Sequence, residues 1–260
     1  MINISPLLVV IHFKKNIFIT ILIRNPEKRD VKSNCRSMKW KYEKNFKDKG
    51  YMMNYEKIPE TKAGNLVYQF RIELCGIRPL IWRRVQVPQN YNFWDLHVAL
   101  NDAMGWLDYH MHYFEIKPKH KREIWHVGIP DFNMNEGLKE VYPGWEIAMI
   151  AGFNEIGMEA RYYYDYGDDW VHKVKFEGIL VKEEKVRYPV CIDGERACPP
   201  EDTGGPQQYI EYLKVIKDPS HPEYSQFKQR YDKHDPAAFN KNKIKFDDPY
   251  KRWRGAFLEE

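Results

Sequence analysis

MEARYYYDYGDDWVHKVKFEGIL, residues 158–180, reads as a β-hairpin. After the turn, Trp170, His172, Val174 and Phe176 alternate with Val171, Lys173, Lys175 and Glu177. That period of two marks a strand with one buried face. Gly167 lies in the YGDD segment, where a tight turn can use positive φ. The same alternation puts His172 on the apolar face of its strand.

Upstream, LVYQFRIEL (66–74) repeats the pattern, with Tyr68, Phe70, Ile72 and Leu74 against Gln69, Arg71 and Glu73. CGIRP makes a turn into a second strand, LIWRRVQV (80–87), which Pro88 and Asn90 end. NFWDLHVALNDAMGW (92–106) then changes period. Leu96, Ala99, Leu100 and Ala103 line one face of a helix, Asn92 with Asp95 three residues on forms its start, and Gly105 stops it. HMHYFEI (110–116) returns to period two, with His110, His112, Phe114 and Ile116 on one face. Residues 117–157 are broken by Gly and Pro, with one helix expected around 144–151. Downstream, CIDGERACPPEDTGGPQQY (191–209) is a loop leading into a helix with Pro206 in its first turn and Tyr209, Ile210, Leu213 and Ile216 inward. PEYSQFKQRYDKH (222–234) reads as a further helix. The elements do not alternate as βαβ units, so the expected class is α+β, a single domain on a mainly antiparallel sheet.

The chain has 260 residues, 43% apolar and 15% aromatic, enough for a ring-rich core. Four cysteines, of which only Cys191 and Cys198 are close, make no disulfide framework and point to a reducing, cytoplasmic setting. Residues 1–57 carry 13 Lys+Arg against 5 Asp+Glu, whereas the remainder carries 28 against 32. LLVVIHF (7–13) and IFITILI (17–23) are split by KKN and fall short of the ~20 apolar residues of a membrane span, so no membrane partner is expected. The domain plan is therefore an N-terminal extension over 1–60, a patterned domain over 61–250 and a C-terminal tail over 251–260. The extension is either a basic arm or sequence upstream of a start at Met38, Met52 or Met53.

In order and composition, IRPLIWRRVQVP, LHVALNDAMGW with HMHYFEI, YYYDYGDDWVHKVKFE, and CIDGERACPPEDTGGPQQYIEYL with the later DPAAFN resemble the plasmid pRiA4b ORF-3-like family. The resemblance covers about residues 66–246. It implies an α+β roll, with helices packed on a curved sheet, and an association with mobile elements; it implies no reaction. Where the family has a Gly before the Tyr that follows the Gly-Gly pair, this chain has Gln208.

Candidate chemistry gathers in two places. His110 and His112, two apart on one face, have a spacing that can grip one metal ion such as zinc, and His172 adds a third imidazole. Asp165, Asp168, Asp169, Glu201 and Asp202 can supply oxygens; Asp168, Asp169, His172, Glu201 and Asp202 are the candidate acid–base groups. The prolines and glycines of CPPEDTGG fix that loop's shape. The expected working surface is where it meets the hairpin: Asp165, Tyr166, Gly167, Trp170, Pro199, Pro200, Gly204 and Gly205. A module binding a protein partner or small ligand is the first reading, and a metal-dependent hydrolase the alternative. A nucleic-acid accessory role, using Arg83, Arg84, Lys251, Arg252 and Arg254, is not favoured, because the patterned region is net acidic.

Overall fold

The computed structural model describes residues 7–13, 17–23, 64–130 and 141–258. Leu7–Phe13 (β1) and Ile17–Ile23 (β2) pair antiparallel as a small sheet of their own. The other residues assigned to the N-terminal extension lie outside the described residues, apart from these two strands.

From Leu66 onward one eight-stranded sheet organises the chain. Its strands are Leu66–Leu74 (β3), Trp82–Pro88 (β4), His112–Ile116 (β5), Trp125–Gly128 (β6), Val141–Pro143 (β7), Glu159–Tyr164 (β8), Trp170–Val181 (β9) and Val190–Glu195 (β10). They lie in the order β10-β4-β3-β9-β8-β5-β6-β7. Every pairing is antiparallel except β6 with β7. The period-two faces turn inward as expected: Phe70, Ile72, Leu74, Val85, Phe114, Ile116, Tyr162, Tyr164, Trp170, Val174 and Phe176 are buried. The fold is thus α+β, with a mixed, mainly antiparallel curved sheet.

Helix α1 (Phe93–Met104) covers the inner face. Its start is a capping box: the Asn92 side chain accepts from the Asp95 N–H, and the Asp95 carboxylate accepts from the Asn92 N–H. Gly105, at φ 95°, ends it in the left-handed conformation. Eleven of its twelve residues are buried, more than one apolar stripe needs, because a second layer covers its far side. There Trp94 and Val98 pack with Trp145 and with Trp253 and Phe257 of helix α5 (Pro249–Phe257). Trp94 Nε1 also donates to the Pro249 carbonyl at 2.9 Å. Each of these rings contributes roughly 2–3 kcal/mol by leaving water. The boundary drawn at residue 250 falls inside this packed helix.

The helix expected around 144–151 is shorter, with α2 spanning only Met149–Gly152. The preceding residues have another task. The carbonyls of Gly144 and Ile147 accept from the N–H groups of Trp94 and Phe93, supplying partners that the first turn of α1 lacks. Helices α3 (Gly205–Val215) and α4 (Tyr224–Arg230) follow the loop, as anticipated. No helix among the described residues is long and apolar enough to cross a membrane.

Three of the four arginines considered for nucleic acid are committed internally, and Arg254 is exposed. Arg83 occupies an inward position and donates to the carbonyls of Ala103, Trp82 and Glu195. Arg84 pairs with Glu177 and Asp193, and Arg252 with Asp102, Asp108 and Asp247. Trp253 is buried.

Candidate functional site

The hairpin turn is built on Asp165. At φ 59° its Oδ1 accepts from the N–H groups of Gly167 at 2.8 Å and Asp168 at 3.3 Å, an Asx turn. The Asp165 carbonyl takes the Asp169 N–H at 2.7 Å. These bonds use one carboxylate oxygen of Asp165 and leave Oδ2 to face His110.

The CPPEDTGG loop seats directly on this turn. Asp168 Oδ2 accepts from the Gly204 N–H at 2.9 Å. A Cβ on Gly205, whose φ is +79°, would stand 2.4 Å from the Asp168 carbonyl oxygen. So the close approach is at Gly205, whereas Gln208 is exposed and lays its side chain over Gly204. A clamp from the end of α1 holds the loop's other side. Trp106 Nε1 donates to the Pro199 carbonyl at 2.8 Å, and its ring stacks on Tyr164 with centroids 4.8 Å apart. Glu201 Oε1 accepts from the Leu107 N–H at 2.7 Å and the Tyr164 hydroxyl at 2.9 Å.

What this assembly surrounds is the imidazole of His110. Its Nε2 lies 3.3 Å from Asp202 Oδ1, 3.6 Å from Asp165 Oδ2 and 3.8 Å from Glu201 Oε2. Shielded from water, that nitrogen makes no hydrogen bond among the described residues. Ligand atoms of His110, Asp165 and Asp202 all lie within 4.8 Å of one another. The Asp165 and Glu201 side chains are 9% and 12% exposed and that of Asp202 is 74% exposed, so the cluster opens to solvent on the Asp202 side. Burial pushes the Glu201 carboxyl above its usual range, against the Leu107 N–H, the Tyr164 hydroxyl and His110, which pull it down.

The other expected residues are placed differently. Asp168 fastens the loop and Asp169 closes the turn; neither carboxylate belongs to the cluster. His172 is fully buried, with Nδ1–H donating to the Tyr162 carbonyl at 3.2 Å, and burial takes its pKa down to about 3. His110 and His112 do not grip one ion. The strand starts at His112, so alternation does not extend to His110, and the two rings join different clusters. His112 stacks face to face on His97, centroids 3.3 Å apart and planes 5° from parallel. The sequence reading missed this second group, His97, Asp108 and His112, whose ligand atoms are also close. Its geometry does not suit an ion. A metal sits in the plane of an imidazole, along a nitrogen lone pair, and two parallel planes 3.3 Å apart share no such position. Both His97 nitrogens are also engaged, with Tyr162 Oη and Asp108 Oδ1, each at 2.8 Å. Cys191 is buried in the core and Cys198 packs against it; burial raises both thiols, and neither joins a ligand group among the described residues.

The sequence model of the plasmid pRiA4b ORF-3-like protein family matches residues 66–243, well over half of the chain. The chain belongs to this family. Within the pRiA4b ORF-3-like region lie His110 and the three carboxylates around its Nε2, and α5 lies beyond it. An uncharacterized protein, y4hQ, of Sinorhizobium fredii is 29% identical over 161 residues, covering 62% of this chain and 78% of that protein. The crystal structure of a protein of unknown function, MM3350 from Methanosarcina mazei Go1, is similar with a TM-score of 0.63 at 37% identity. It matches over 70% of this chain and 98% of the other. No specific function comes to the pRiA4b ORF-3-like chain from these relatives.

Proposed function

We propose that the protein is a ligand-binding module whose surface is organised by a divalent cation held by His110, Asp165 and Asp202. One observation carries this reading: carboxylate oxygens from the hairpin turn and from the CPPEDTGG loop converge at 3.3–3.8 Å on an imidazole nitrogen that has no hydrogen bond. Two ligands each about 2.1 Å from a tetrahedral ion stand roughly 3.4 Å apart. Asp165 spends one oxygen on the turn and presents the other, so its ligand atom is preorganised. One nitrogen with carboxylate oxygens suits zinc or manganese better than a soft thiolate-seeking ion. The three described cysteines are free, which supports the reducing, cytoplasmic setting; the mobile-element association rests on the family resemblance.

The full chain, purified without chelators and titrated calorimetrically with Zn²⁺ or Mn²⁺, is expected to bind one ion. His110→Ala and Asp165→Asn should each weaken binding at least about 10- to 100-fold, the range for losing a group that only orients a metal ligand. Asp165→Asn retains an oxygen for the turn, so its circular dichroism should match that of the wild type. Absence of uptake of either metal by the folded wild type sinks the reading.

A further inference from the structure

We infer that Glu201 is the general base of a hydrolytic reaction at this cation site, and that the substrates are neutral acyl compounds, esters or amides. The inference rests on the cation site proposed above. Glu201 stands beside the three-residue ligand group rather than in it. Its Oε1 is held by the Leu107 N–H and the Tyr164 hydroxyl, which fixes the carboxylate plane and turns Oε2 toward the cluster, 3.8 Å from His110 Nε2. Three protein ligands leave a tetrahedral ion one open position. A water there has the anchored Oε2 as its neighbour, within the single hydrogen bond a proton transfer requires.

The step balances without any oxidant or reductant. Glu201 Oε2 takes one proton of the water, and the water oxygen forms a bond to the acyl carbon while the carbonyl π pair moves onto its oxygen. The pair then returns, the bond from carbon to the alcohol oxygen or amine nitrogen breaks, and the leaving group receives the proton from Glu201. The products are a carboxylic acid and an alcohol or amine.

Charge selects the substrate class. Three carboxylates and one divalent ion leave the site with a net negative charge of about one, which disfavours a phosphate ester and tolerates a neutral carbonyl. The Arg230 guanidinium beside the loop donates to the Asp202 carbonyl at 3.1 Å. Just before His110 in the chain, Leu107 and Tyr109 are 59% and 66% exposed, an apolar border suited to an uncharged acyl group.

The test uses the full chain loaded with Zn²⁺ or Mn²⁺, with p-nitrophenyl acetate and N-acetyl-alanine p-nitroanilide as neutral probes and bis-p-nitrophenyl phosphate as the anionic contrast. Metal-dependent hydrolysis of an acyl probe is expected, with the phosphate diester at least 10-fold slower. Glu201→Gln keeps an oxygen for the Leu107 N–H, so it should bind metal within about threefold of the wild type and lose 10²- to 10⁴-fold in turnover. Glu201→Asp, the second variant, should fold and bind metal but turn over slowly, because its oxygen falls short. Metal bound without hydrolysis overturns this inference and leaves the cation site standing. Loss of metal in Glu201→Gln makes Glu201 a ligand and overturns its role as base, and faster cleavage of the phosphate diester overturns the substrate class. A folded protein that takes up no metal overturns the cation site itself.

Discussion

Gly205→Ala is expected to lower the unfolding free energy by roughly 3–4 kcal/mol, about twice the cost of Gly204→Ala. Both glycines have positive φ, +79° and +88°, so each change carries a left-handed penalty of about 1–2 kcal/mol. What separates them is the neighbour. At Gly205 the new Cβ meets the Asp168 backbone oxygen at 2.4 Å, and that oxygen cannot retreat without shifting the hairpin turn. At Gly204 the nearest atom is Gln208 Cγ at 2.8 Å, in an exposed side chain that can swing away. Urea denaturation at pH 7 measures the difference, and equal costs would mean that the loop is not seated on the turn. Since Glu201 and Asp202 ride on this loop, Gly205→Ala should also weaken cation binding, whereas Gly204→Ala should leave it nearly intact.

Between pH 6.5 and 4.5 the wild type is expected to lose about 2–3 kcal/mol of stability through His172 alone. The folded pKa of about 3 lies below the ordinary 6.5, so in that window the unfolded chain takes up a proton that the folded chain refuses. Stability is therefore complete above pH 6.5 and declines by about 1.4 kcal/mol for each pH unit below it. The cause is burial, partly offset by the Tyr162 carbonyl that accepts from Nδ1. Protonation at Nε2 would place an N–H⁺ where no described group accepts it. His112, also buried and held well below the usual value, adds to the slope in the same direction. Denaturation curves at the two pH values, for wild type and His172→Gln, check this. The variant should be less stable at pH 7 but should lose less on acidification, and parallel losses would contradict it.

How much of this was legible in the sequence depended on distance along the chain. Alternation in β9 placed His172 inward, and the Asn92–Asp95 spacing announced the capping box. Those signals are local, because a strand or a helix start fixes side-chain direction within a few residues. The junction of hairpin and loop was also anticipated, since glycines and prolines advertise a specified shape. Which residues would work there was not. Asp168 and Asp169, as good on paper as Asp165, went to fastening and turn closure, a division decided by backbone dihedrals that composition does not reveal.

The inward faces of the strands, the ends of α1 and the α+β class were determined by the sequence itself, through periods of two and about 3.6 and the stereochemistry of Asn and Gly. The separation of His110 from His112, the turning of Arg83 into the core and the grip of Leu107 and Tyr164 on Glu201 were decided only in the tertiary structure. Leu107 and Glu201 are 94 residues apart. Periodicity orients a side chain relative to its own element; what it meets depends on how distant elements dock, and here Gly205 against the Asp168 carbonyl joins the holds on Gly204, Pro199 and Glu201 in setting that docking.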